Sequence, residues 1–130
     1  MVEDQNFHKV KKIIYVLILF FVFASKSYSQ NFKLEKLVNL DSPWGSSFIN
    51  SNEIIITEKS GKIKIVNILS REVQEISHQL NFVVHGQGGL LDIIHKDNNI
   101  WISYTEDRGG YKTSTSIAKA EFNKKQLNFK

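Results

Sequence analysis

Glu53-Ile54-Ile55-Ile56-Thr57-Glu58-Lys59-Ser60-Gly61-Lys62-Ile63-Lys64-Ile65-Val66-Asn67 holds two kinds of strand signal joined by a turn. The β-branched run Ile54 to Thr57 suits a central strand covered on both faces, whereas Lys62 to Asn67 alternates charged or polar with apolar residues, the period of a half-buried strand. Glu58-Lys59-Ser60-Gly61 between them has turn chemistry, so residues 53–67 are expected to form a β-hairpin.

The same grammar extends outward in both directions. Upstream, Phe32 to Leu37 alternates apolar and charged and predicts a strand; Asp41-Ser42-Pro43 breaks the chain, Trp44 to Phe48 starts another strand, and Ile49 to Asn52 turns it. Downstream, Arg71 to Ile76 reads as a charged edge strand. Leu90 to Ile94 and Ile100 to Thr105 flank the turn His95 to Asn99. A polar loop, Glu106 to Thr113, then leads into a strand over Ser114 to Asn123. Phe48, Asn52, Ile54 and Ile56 are matched by Ile94, Asn98, Ile100 and Ile102, each 46 residues later. The fold class is all-β. Four-stranded units repeating at roughly 40–50 residues mark the blades of a β-propeller, and evenly spaced strands of a sandwich leave a similar trace. The pattern alone leaves both open.

The first thirty residues follow other rules. Lys9, Lys11 and Lys12 precede an unbroken apolar run from Ile13 to Ala24, and small residues stand at Ser27 and Ser29. This is the layout of a secretory signal, residues 1–29, with cleavage expected before Gln30 and export to the periplasm or the extracellular space. The run is 12 residues long, where a bilayer span takes about 20. No stable membrane span is therefore expected after cleavage. The chain contains no cysteine, which excludes disulfides and a lipidated cysteine at the cleavage site.

Of 130 residues, 42% are apolar and 23% charged, a globular composition, and the formal charge is +4. Residues 1–29 carry Lys9, Lys11, Lys12 and Lys26 against Glu3 and Asp4, so residues 30–130 hold 13 basic and 11 acidic residues, a net of +2. The remaining lysines, such as Lys59, Lys62 and Lys64, are interleaved with apolar residues as on a solvated strand face. No nucleic-acid footprint is present.

One stretch stands apart, His85-Gly86-Gln87-Gly88-Gly89-Leu90-Leu91-Asp92. Glycine tolerates φ > 0 and carries no Cβ to block a close approach, so a loop with Gly86, Gly88 and Gly89 around Gln87 is either a tight turn between strands or a pocket-lining loop. His85 lies two residues from Gln87. Asp92 and Glu58 are carboxylates without a further ligand at metal-loop spacing. Both are expected to be structural, Asp92 through a hydrogen bond to the glycine-loop backbone. His78 and His95 sit in turn-like contexts and are expected to be solvated, and Trp44 and Trp101 to pack between blades.

Together, Pro43-Trp44-Gly45, Thr57-Glu58-Lys59-Ser60-Gly61-Lys62-Ile63, Gly86-Gln87-Gly88-Gly89-Leu90-Leu91-Asp92 and Ile100-Trp101-Ile102-Ser103-Tyr104 resemble, in order and spacing, the opening of the glucose/sorbosone dehydrogenase family. These are exported soluble aldose dehydrogenases dependent on pyrroloquinoline quinone (PQQ), and the resemblance runs from about Leu40 to Asn123. It implies a six-bladed propeller holding PQQ and Ca2+ at the mouth of its channel. A histidine base and hydride transfer from the anomeric carbon to the quinone would convert an aldose to a lactone, with an electron acceptor reoxidising the cofactor. By this resemblance Gln87 is a substrate-binding residue and Gly86, Gly88 and Gly89 shape its loop. The family's catalytic histidine, calcium ligands and quinone-holding basic residues come from later blades, so no catalytic residue and no metal ligand is assigned in this chain, His85 included. The family's His-Pro-Asp-Phe turn is replaced by His95-Lys96-Asp97-Asn98, for which a shortened, looser turn is expected.

Residues 30–130 suffice for about two blades, whereas six at ~45 residues each need about 270. The chain is therefore expected to be the N-terminal fragment of a longer product, catalytically silent by itself. The competing expectation is a non-catalytic secreted propeller that binds sugar or protein.

Overall fold

A computed structural model describes the backbone of residues 2–24 and 31–130, and the side chains of residues 8–19 and 31–130. The chain divides into two units, Met1–Glu35 and Lys36–Lys130. The first contains helix α1 (Val2–Ala24), along which the apolar side chains from Ile13 to Leu19 are exposed. Among the described residues no helix is long and apolar enough to cross a membrane. The expected cleavage site, Ser27 to Gln30, lies outside the described residues. The strand expected over Phe32 to Leu37 does not form. Alternation makes a strand only where a neighbouring backbone and a sheet face await it, and Phe32 and Leu34 are 84% and 98% exposed.

The second unit is all-β. Its strands are β1 (Pro43–Asn50), β2 (Glu53–Glu58), β3 (Ile63–Asn67), β4 (Val73–His78), β5 (Leu90–Lys96), β6 (Asn99–Asp107), β7 (Thr113–Glu121) and β8 (Gln126–Leu127). The 53–67 hairpin forms as expected, in unbroken register from Glu53 opposite Asn67 to Thr57 opposite Ile63. One sheet has the order β1-β2-β3-β4-β8 and the other β5-β6-β7. All neighbours are antiparallel except β8, whose two residues run parallel to Ser77 and His78 of β4. The expectation of a four-stranded unit thus holds for the first sheet, while the second has three strands and β4 is covered at its C-terminal end.

The core lies between the sheets. Ile55, Ile63, Ile65 and Ile76 of the first meet Leu90, Ile93, Ile100, Ile102, Tyr104, Ala118 and Ala120 of the second, all buried. Each fully buried Ile or Leu contributes about 1.5–3 kcal/mol. The final residues strap the two together: Gln74 donates to the carbonyl of Lys124, Lys124 pairs with Glu53 at 2.6 Å, and Lys130 exchanges backbone hydrogen bonds with Lys119 of β7.

The 46-residue repeat decides between propeller and sandwich. Hairpin β1-β2 ends Asn50 opposite Glu53 and hairpin β5-β6 ends Lys96 opposite Asn99, each partner displaced by 46. The first sheet buries Ile55 and Thr57 against the second, yet their equivalents Trp101 and Ser103 point away from the first sheet. The second sheet instead buries Ile100 and Ile102, the equivalents of Ile54 and Ile56 on the far face of the first. Successive units therefore stack front to back, the arrangement of propeller blades, whereas a sandwich turns like faces together. The fold is a partial β-propeller. The β5-β6 turn is tight: Asp97 and Asn98 have φ of 50° and 59°, the pair of positive values that a two-residue type I′ hairpin needs. The looser turn expected there is not found, because Asp and Asn tolerate the left-handed region without a proline.

Candidate functional site

Four segments meet at one end of the two sheets: the start of β1, the β2-β3 turn, the connection from β4 to β5, and the β6-β7 loop. Backbone bonds tie them together. Lys59 donates its N–H to the carbonyl of Ser42 at 3.1 Å, Val83 to Thr105 at 2.9 Å, and Asp107 to Asn81 at 3.2 Å. Within the unit the strands converge on Thr57, which is buried in the middle of the interface. Its hydroxyl accepts the Gly45 N–H at 3.0 Å and donates to the carbonyl of Leu91, joining β1, β2 and β5 through one oxygen.

The glycine loop occupies this end, and its three glycines do different work. The Gly88 N–H donates to the His85 carbonyl at 2.7 Å, closing a turn with Gly86 and Gln87 at its centre. Gly86 has φ 55° and open space beside it. Gln87 keeps an ordinary negative φ, so the positive value falls on the first central residue alone, the type II′ pattern. A Cβ on Gly88 would lie 2.9 Å from the Thr105 hydroxyl, and one on Gly89 (φ 144°) would lie 2.2 Å from the Lys59 carbonyl oxygen. Gly88 and Gly89 are thus where β5 enters against its neighbours, and Gly86 is where the turn reverses. The loop is a tight turn at Gly86, and at Gly88 and Gly89 it packs closely on Thr105 and Lys59.

Gln87 is exposed at the tip, and its amide, two donors and an acceptor, has no hydrogen-bond partner among the described residues. The ammonium of Lys59 donates to the Gly86 carbonyl just behind it. His85 is exposed in the same turn. Beneath, Glu58 is fully buried. It accepts from the Asp41 N–H and from Lys64, each at 2.8 Å, while its second oxygen has no partner. Burial alone would push the Glu58 carboxyl up; the bonds from Lys64 and Asp41, with the charges of Lys64 and Lys62, outweigh it and hold the group below the usual carboxylate range.

Several expected roles change. Asp92 bonds the N–H of the next residue, Ile93, at 2.9 Å, bracing the register shift between Leu90 and Ile93 rather than the glycine loop. His78 is half-buried: its Nε2 bonds the Gly61 carbonyl at 2.6 Å and Nδ1 accepts the Leu80 N–H at 3.3 Å, which fixes the neutral Nε2–H tautomer. His95 is half-buried too, 5.0 Å from the Phe122 ring. Each is thus only partly exposed, His78 held by its two hydrogen bonds and His95 set against Phe122. Trp44 and Trp101 are half-exposed and lie outside the contact between these two sheets; Trp101, with the Lys119 ammonium 5.0 Å over its ring, is on the outer face of the second sheet, where a further blade would pack. A threonine in a β-branched run gives no sign of the role of Thr57, and Lys59, which reads as part of a solvated strand face, instead bonds the glycine loop.

Among the described residues no group of three or more His, Cys, Asp or Glu could hold a metal ion. A cleft of about 580 Å3, lined by Asn99, Lys119, Glu121, Asn123 and Lys130, opens at the other end of the sheets. Chemically, then, the glycine-loop end offers a neutral amide on a braced turn, suited to hydroxyl recognition.

A family model described as "Glucose / Sorbosone dehydrogenase" matches residues 40–130. The aldose sugar dehydrogenase YliI of Escherichia coli strain K12 is 30% identical over 84 residues, 60% of this chain and 23% of that protein. The crystal structure of the soluble aldose sugar dehydrogenase of Escherichia coli in its apo form is similar with a TM-score of 0.62 and 26% identity, covering 68% of this chain and 28% of that one. The PQQ-bound form of the aldose sugar dehydrogenase from Streptomyces coelicolor shares the fold, with a TM-score of 0.60 and 19% identity over 69% and 29% of the two chains. The chain spans about a quarter of the length of the curated relatives it matches.

Proposed function

Because the chain belongs to the glucose/sorbosone dehydrogenase family, we propose that it is the N-terminal part of an exported, PQQ-dependent aldose dehydrogenase that oxidises the anomeric carbon of an aldose to a lactone. The observation that carries this reading is the family match over 40–130, which takes in both sheets and the whole glycine-loop end. The signal layout of residues 1–29 supports export to the periplasm or beyond.

In this reading Gln87 lines the sugar side of the pocket. A neutral amide bonds sugar hydroxyls without adding charge beside the reacting centre, and Gly86, Gly88 and Gly89 set it at the tip of a short, fixed turn. PQQ, when bound, would supply the two-electron acceptor and Ca2+ its polarisation. The described residues do not make up a site for either. Glu58 is enclosed by Lys64 and the Asp41 N–H, the Lys59 ammonium is taken by the Gly86 carbonyl, and Arg108 is paired with Glu106 at 2.8 Å. No proton or hydride step is therefore derived within these residues, and their contribution is substrate placement.

The test uses the complete gene product. Purified protein given PQQ and Ca2+ is expected to reduce an electron-accepting dye with aldoses and to yield lactone. Absence of both quinone binding and turnover would favour the non-catalytic binding module instead.

A further inference from the structure

The peptide bond that joins Gly86 to Gln87 is the central peptide of the His85–Gly88 turn. A central peptide can flip by half a rotation, which interconverts type II′ and type I′ turns; glycine at the first central position permits either. The flip would drive Gln87 to positive φ and re-aim its side chain. In this structure Gln87 has negative φ, and the carbonyl of that very peptide receives a hydrogen bond from the Lys59 ammonium.

Lys59 is itself held from both directions. Its N–H is bonded to Ser42 at 3.1 Å, and its carbonyl lies against Gly89, so close that a Cβ there would approach to 2.2 Å. The lysine side chain therefore runs from a fixed backbone to the one carbonyl whose orientation decides where Gln87 points. We propose that Lys59 is a positioning residue for Gln87, selecting the turn geometry in which the amide faces the sugar. This rests on the reading of Gln87 as a substrate-side group.

The test takes the complete dehydrogenase with Lys59→Met, Lys59→Arg, Gln87→Ala and the Lys59→Met/Gln87→Ala double variant. Lys59→Met is expected to raise the aldose KM about fivefold to tenfold with kcat within about twofold, as for loss of an interaction made equally in ground and transition states. Lys59→Arg, which keeps a donor, should recover most of that loss. In the Gln87→Ala background Lys59→Met should add nothing to KM, because the group it positions is gone. A crystal structure of Lys59→Met should show the Gly86–Gln87 peptide flipped, with Gln87 at positive φ. Effects on KM that multiply in the double variant, or a Gly86–Gln87 peptide unchanged in Lys59→Met, would overturn the proposal. So would a weakened PQQ titration in Lys59→Met with the peptide unchanged, which would make Lys59 a cofactor ligand. If Gln87→Ala leaves KM untouched while Lys59→Met still flips the peptide, the clamp exists but the substrate-side reading of Gln87 fails, and the positioning role with it.

Discussion

Gly89 lies so close to the backbone of Lys59 that a Cβ at residue 89 would stand 2.2 Å from the Lys59 carbonyl oxygen. Since residue 89 also has φ 144°, two independent barriers oppose any side chain there. Gly89→Ala is expected to destabilise the protein by about 2–4 kcal/mol, combining backbone strain with a forced separation of the β2-β3 turn from β5. Denaturant unfolding at neutral pH measures it. A loss below about 1 kcal/mol would show that the two segments yield easily.

Thr57 offers a second handle on the same interface. Thr57→Val preserves shape but removes the hydroxyl shared by Gly45 and Leu91, leaving a buried N–H and carbonyl unsatisfied. The expected cost is about 1–3 kcal/mol. Thr57→Ser, which keeps the oxygen, should cost less, and equal losses in the two variants would refute the hydrogen-bond account.

Glu58 makes stability depend on acid. Its carboxyl is held below its unfolded value, so its contribution is fully present above the unfolded carboxylate pKa of ~4.3 and is lost as pH falls through the lower folded value. Glu58→Gln leaves Lys64 without its charged partner at a mostly buried position and should cost about 2–4 kcal/mol at neutral pH. The gap between parent and variant should narrow as the pH is taken toward 3, measured by chemical denaturation across a pH series. A gap independent of pH would place the loss in packing.

Residues 36–130 on their own are expected to associate or unfold. The far face of the second sheet leaves Ile94, Trp101 and Ile117 at 52%, 43% and 72% exposure, a cluster that water does not favour. Sedimentation and thermal melting test this, and a sharp monomeric unfolding transition would contradict it.

Periodicity made both hairpins readable in advance: alternation from Lys62 to Asn67 and the β-branched run before it left little choice of face. Phe32 to Leu37 alternates as well and forms no strand, because alternation states which side is apolar and not whether a partner backbone is there. β8, two residues long, is below any pattern. For the site, composition singled out the glycine loop but could not separate Gly86, a turn, from Gly88 and Gly89, close approaches; that difference depends on Thr105 and Lys59, which are remote or unremarkable in sequence. The substrate role proposed for Gln87 rests on its resemblance to a family motif, not on any pattern in the chain.

The front-to-back stacking of the two repeats has one more consequence. Ile55 and Thr57 are buried where Trp101 and Ser103, 46 residues on, are turned outward, so the two outer flanks of the pair are unlike surfaces. Unlike flanks cannot be joined by a two-fold axis that matches a patch with itself. Such a particle has polarity: each added unit presents again the surface that the last one covered, and growth stops only when rotation brings the first flank round to meet the last. A ring is thus the self-limiting outcome of this stacking, and an open filament is the alternative wherever the ring is left incomplete.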